Sequence, residues 1–184
     1  MSFEAIALII TALLGFGGYF ITYWHNLRLM RRTERLQLIS RQISEFYGPL
    51  FVLTQTGERS YKALLYKLGG EKRRSVFRDP TFEVSEEDIA EWRIWVREVF
   101  MPNNLAIEKL IVEKAYLLRE EKVPECLLDF ITHVSGYKAV LAKWAEGDFS
   151  ENLSIVDFPK ELREYTQRSY SELKKEQLQL INGQ

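Results

Sequence analysis

Residues 5–24 read AIALIITALLGFGGYFITYW, twenty positions without a charged side chain in a chain that is 28% Asp, Glu, Lys and Arg over its whole length. At the rise of an α-helix such a stretch covers about 30 Å, the thickness of a bilayer's hydrocarbon core. It is apolar all round rather than along one stripe, which sets it apart from the surface helix of a globular domain. It closes on Tyr19, Tyr23 and Trp24, residue types that settle where lipid meets water, and His25 falls in the same girdle. A cleaved signal would need a basic leader, a shorter apolar core and a small-residue cleavage site. Here Glu4 precedes the stretch and bulky rings end it. The expectation is a single transmembrane anchor over residues 1–25.

Flanking charge sets its direction. Arg28, Arg31, Arg32, Arg35 and Arg41 follow the span against one nearby acid, Glu34, and basic residues beside a span stay on the cytoplasmic side. The N-terminus is therefore expected outside and residues 26–184 in the cytoplasm, at a membrane of the bacterial inner-membrane type. Asn152-Leu153-Ser154, a glycosylation acceptor only outside the cytoplasm, should then stay unmodified. The same arginines can attract anionic headgroups, so the lipid bilayer is the first expected partner. Within the span Ala7, Thr11 and Gly15 recur four residues apart, and Gly18 and Thr22 repeat the spacing on a neighbouring face. Small residues so placed let helices approach closely, which makes a homo-oligomer through the span an expectation. The span holds no acid, base or amide, which argues against an ion pathway of its own.

The remaining chain is long enough for one domain with one core. A single cysteine, Cys126, excludes an internal disulfide framework. Net charge of −1 and the absence of aromatic residues interleaved with the arginines argue against nucleic acid as a partner. Leu36, Ile39, Ile43, Phe46, Leu50 and Leu53 recur at spacings of three and four, a helical seam. The spacing predicts a juxtamembrane helix over 26–68, continuous with the anchor and kinked or briefly broken at Gly48-Pro49, where proline removes a donor and crowds the preceding turn. Gly48 and Pro49 thus form a candidate hinge. Residues 71–85 read as a loop, and the rest, 86–184, as further helices. Ser85 is the expected N-cap of the next helix, with Glu86, Glu87 and Asp88 in its first turn, and Met101-Pro102-Asn103-Asn104 is expected to end that helix and cap another. Pro124 opens a helix that stops near Gly147, and a last one runs from about Phe158 to Ile181. The fold class is all-α: one N-terminal transmembrane helix followed by a cytoplasmic bundle of four or five helices.

Chemistry is sparse. Two histidines and one cysteine, with no metal-ligand spacing, give no metal centre, and nothing calls for a cofactor. Asp129, His133 and Tyr137 share one helix face, an order that can align carboxylate, imidazole and phenol around a general base. No nucleophile or glycine-rich loop completes that site, so a structural hydrogen-bonded edge is the plainer reading. Glu120-Glu121 before Pro124 reads as a solvated turn. The connection 148–158 is unusually apolar: Phe149, Leu153, Ile155, Val156 and Phe158 either close one end of the bundle or form a docking loop for a protein partner. Asp148-Phe149-Ser150-Glu151 at its start has the form of a capping box and predicts a short helical turn. The function expected from these features is a single-pass membrane-anchored interaction module, an adaptor or a subunit of a membrane assembly. One alternative is a membrane effector whose spans oligomerise and perturb the bilayer; another is a helical-bundle enzyme working from the Asp129/His133/Tyr137 face.

Overall fold

The computed structural model describes residues 2–69 and 84–182, setting aside the side chains at 5–7, 9, 10 and 12. The expected loop over 71–85 falls almost wholly outside these. The described residues form helices and their connections, with no strand among them: α1 (Phe3–Gln42), α2 (Gly48–Lys67), α3 (Glu86–Trp95), α4 (Met101–Lys114), α5 (Glu125–Ala145) and α6 (Glu161–Asn182). The all-helical bundle read from the sequence is what the chain adopts. Among the described residues no helix is long and apolar enough to cross a membrane. The uncharged N-terminal stretch lies within α1, and Leu13, Leu14, Phe16, Phe20 and Ile21 each stand more than half exposed there.

Neither proline-containing dipeptide breaks its helix. A π-turn, Ile43–Tyr47, runs from α1 directly into Gly48-Pro49, and a second, Val96–Phe100, runs from α3 into Met101-Pro102. Backbone angles stay right-handed helical through both junctions: Gly48 (φ −65°, ψ −57°) donates to the Ile43 carbonyl and Met101 (φ −67°, ψ −42°) to that of Val96. Proline in an α-helix strikes the carbonyl four residues back and supplies no N–H. One wider turn immediately before the ring moves that carbonyl aside, a common origin of π-turns within longer helices. Of the kink or short break expected at Gly48-Pro49 the break is not found, and the helix end expected at Met101–Asn104 is likewise replaced by continuous helix. The elements group into four rods: α1 with α2, α3 with α4, α5, and α6.

By internal packing the chain divides into two compact units, Met1–Ser40 with Lys175–Gln184, and Arg41–Lys174. In the first, the Arg32 guanidinium donates to the carbonyls of Leu180 and Ile181 in the last turn of α6. Carbonyls in the last turn of a helix are short of intrahelical donors, and a cation there also meets the negative end of the helix dipole. Arg35 pairs with Glu176 at 2.6 Å and Gln177 donates to Ser40 Oγ at 3.1 Å.

In the second unit α2 packs on α4, each π-turn packs on the α-segment that follows the other, and α4 packs on α5. Ile39 apart, the seam residues Phe46 and Leu50 belong to this unit and are fully buried, as are Leu64, Leu127, Phe130, Leu162 and Leu173. A close approach of α2 and α4 is made at Gly57, where an added Cβ would lie 2.9 Å from Asn103 Nδ2; that amide donates to the Leu53 carbonyl at 3.3 Å. Ser85 caps α3 as expected, accepting from the Asp88 N–H at 3.1 Å. α5 ends at Ala145, and two residues on the chain turns at Gly147, whose φ of +82° favours glycine.

Candidate functional site

The connection from α5 to α6 is irregular backbone held in one shape by side chains from two helices. Trp92 Nε1 donates to the Asn152 carbonyl at 2.9 Å, Trp144 Nε1 to the Glu151 carbonyl at 2.7 Å, and Arg93 Nε to Asn152 Oδ1 at 2.9 Å. The Arg93 guanidinium lies 4.4 Å from the Phe149 ring centre, a cation–π placement. At the other end, buried Ser154 donates to the His133 carbonyl at 3.0 Å and accepts from the Val156 N–H at 3.2 Å. His133 Nδ1 sits 2.7 Å from the Val156 carbonyl, so the imidazole carries its proton on that nitrogen to make the bond. Phe158 stands edge-on to Phe130 and to His133 at 5.6 and 5.5 Å between ring centres.

This clamp sorts the five apolar loop residues. Leu153 and Val156 are partly covered; Phe149 and Phe158 each lie against a neighbouring ring or guanidinium yet stay nearly half exposed. Ile155, between the two clamped residues Ser154 and Val156, is 95% exposed. The short helical turn expected at Asp148 is absent: Asp148 Oδ1 accepts from the N–H of Ser150 two residues on, and Glu151 pairs with Lys143. That local bond turns the chain instead of starting a helix.

On the Asp129/His133/Tyr137 face the two rings meet and the carboxylate stands in solvent. His133 and Tyr137 meet edge-on with ring centres 5.1 Å apart and both are buried, but the imidazole nitrogen goes to the loop carbonyl and Asp129 is exposed. Cys126 is half-buried, and burial pushes its thiol above the usual range, which leaves little thiolate for nucleophilic chemistry. Among the described residues no cluster of His, Cys, Asp and Glu can hold a metal ion.

A second polar cluster lies at the first π-turn. Fully buried Tyr47 accepts from the Arg119 N–H at 3.1 Å and donates to Glu120 Oε2 at 3.2 Å; Tyr165 donates to the same oxygen at 3.2 Å. Glu120 is exposed in a turn, as expected, and its carboxylate also gathers two phenols, tying the segment after α4 to α6. Burial is the main reason that both phenols resist ionisation, and their mutual contact and the nearby carboxylate add to it for Tyr165. The consequence for stability has a definite sign. Unfolded tyrosine ionises near pH 10 whereas the folded phenols stay neutral, so the folded chain binds more protons above that pH and stability falls as pH rises further. Alkaline unfolding followed by tryptophan fluorescence should begin near pH 10 and become shallower in Tyr165→Phe; an unchanged profile in that variant would remove Tyr165 from the account.

The basic stripe is divided in use. Arg32 and Arg35 serve α6, and Arg41 pairs with Glu45, which also takes Lys114. Arg28 and Arg31 are exposed and, among the described residues, make no hydrogen bond or ion pair. Gly15 and Gly18 have open space where a Cβ would stand, and Thr22 donates to the Gly18 carbonyl within its own helix. Thr11 is exposed, and the side chain of Ala7 is outside those described.

Fold and site together define an all-α helical bundle with a clamped, partly apolar interhelical loop. No family model matches the chain, and no curated protein or solved structure is significantly similar to it.

Proposed function

We propose that this chain is a membrane-anchored helical interaction module, an adaptor or subunit of a membrane assembly, with residues 1–25 as anchor and the bundle on the cytoplasmic side. One observation carries the interaction reading: Ile155 stands 95% exposed on a loop fixed by buried hydrogen bonds on either side. A large apolar side chain held rigidly in solvent loses little conformational entropy when a partner covers it, and such anchors dominate binding energy. The anchor reading rests on the uncharged stretch, helical throughout and ringed by Tyr19, Tyr23 and Trp24 at its end, and the orientation rests on the arginines that follow. A general base at His133 has less support, because its Nδ1 is spent on the loop.

Two measurements test this reading. A reporter fused after Gln184 should be active only in the cytoplasm; it is a better sensor than glycosylation of Asn152, whose amide oxygen is held by Arg93. In crosslinking on intact membranes, Ile155→Asp should abolish the adducts formed by the wild-type bundle, a loss of about 2 kcal/mol or more for a buried anchor, while the melting temperature stays unchanged. Adducts of equal yield from both chains would end the docking role of the loop.

A further inference from the structure

At the C-terminal end of the uncharged stretch, α1 carries a surface groove of about 370 Å³ lined by Phe20, Ile21, Trp24, His25 and Arg28. Its two ends differ in chemistry. Phe20 and Ile21 are apolar and more than half exposed, Trp24 is half-exposed, and His25 and Arg28 supply N–H donors. Arg31 lies three residues beyond Arg28, on a neighbouring part of the same helix face. The remaining arginines of the stripe are engaged, Arg32 and Arg35 on α6 and Arg41 on Glu45. His25, Arg28 and Arg31 make no hydrogen bond or ion pair among the described residues.

Resting on the anchor reading, we infer that this groove binds one anionic phospholipid of the cytoplasmic leaflet. Its acyl chain lies along Phe20 and Ile21, its glycerol level meets Trp24, and its phosphate is held by His25, Arg28 and Arg31. The order of residues along the helix is the order of layers in a leaflet: apolar, aromatic, then cationic. A planar guanidinium suits a phosphate because it offers two parallel donors. A zwitterionic lipid brings its own ammonium group beside the phosphate and gains less from two arginines, so the ligand class is a phospholipid with net negative charge.

The test uses the full chain in nanodiscs of equimolar phosphatidylglycerol and phosphatidylcholine, extracted gently and weighed by native mass spectrometry to count retained lipids. The wild-type chain should retain phosphatidylglycerol over phosphatidylcholine, and Arg28→Gln with Arg31→Gln should lower that ratio by on the order of tenfold. Phe20→Ala should lower retention with no change in charge, an effect that diffuse attraction by a basic stripe would not produce. Arg28→Lys with Arg31→Lys should keep most of the preference. Equal retention of the two lipids by the wild-type chain would overturn the site, as would full preference in the double glutamine variant. If the chain instead washes off vesicles in alkaline carbonate, the anchor reading itself fails; a chain that resists the wash but shows no lipid preference fails on the groove alone.

Discussion

Replacing Tyr47 with alanine is expected to destabilise the chain by about 3–5 kcal/mol, the cost of deleting a large ring from a closed core. The ring is fully buried, packs edge-on against Phe46 with centres 4.8 Å apart, and bonds Arg119 and Glu120 through its hydroxyl. Tyr47→Phe separates the two contributions. It keeps the volume but leaves the Arg119 N–H without its acceptor, and should cost about 1–3 kcal/mol. Denaturant unfolding of the chain, read by tryptophan fluorescence, gives both values. If the phenylalanine variant matched the wild type, the hydroxyl network would have no part in stability; if the alanine variant did, the packing of the first π-turn would be misjudged.

The second large effect concerns the point where α5 meets its own exit loop. A Cβ at Gly136 would overlap Ser154 Oγ, the atom that bonds the His133 carbonyl and the Val156 N–H. Gly136→Ala should therefore expel the serine hydroxyl and cost about 1–3 kcal/mol, even though alanine is the better helix former. Ser154→Ala alone removes two hydrogen bonds and is also destabilising. Combined, the substitutions should be less harmful than their sum, because removing Oγ makes room: Ser154 Cβ lies at 3.3 Å from the added carbon, close but tolerable. A double-mutant cycle should show this coupling, about 0.5 kcal/mol or more in favour of the pair. Strict additivity would mean that the two residues do not meet. Limited proteolysis at 148–158 provides an independent reading, with faster cleavage expected in Gly136→Ala.

What the sequence revealed and concealed follows from the range of the forces involved. Helix positions rest on periodicity, and the stripes through Phe46, Leu50, Trp92, Phe130, Val134 and Leu173 all point inward as their spacing implies. Ser85 could be assigned as a cap because capping is a contact over three residues. The prolines misled because proline's local effect is to stop a helix, whereas tertiary packing here sustains both helices through a wider turn. A signal was nevertheless present: Ile43-Ser44-Glu45-Phe46-Tyr47-Gly48-Pro49 and Val96-Arg97-Glu98-Val99-Phe100-Met101-Pro102 share a β-branched residue, a glutamate, an aromatic residue and a proline at the same offsets. The clamp on the loop escaped notice because its donors, Trp92 and Arg93, lie 60 and 59 residues from their acceptor Asn152. Glu120 was hidden for the same reason, since only the folded chain places Tyr165 beside Tyr47. The apolar character of 148–158 did single out the loop, but its division into covered residues and the bare Ile155 depends on the bonds at Ser154.

The second π-turn also separates chain length from helical phase. Val96 and Met101 are both buried although five residues apart, where an uninterrupted α-helix would turn the later one roughly a third of a circle further round than a four-residue step does. The wide turn absorbs that rotation. The rod thus contains one residue more than its azimuth records, and Trp92 before the turn and Asn104 and Ile107 after it still look the same way. Counting sevens along this helix loses its place at Arg97, while the surface it offers to the rest of the bundle runs on without a seam.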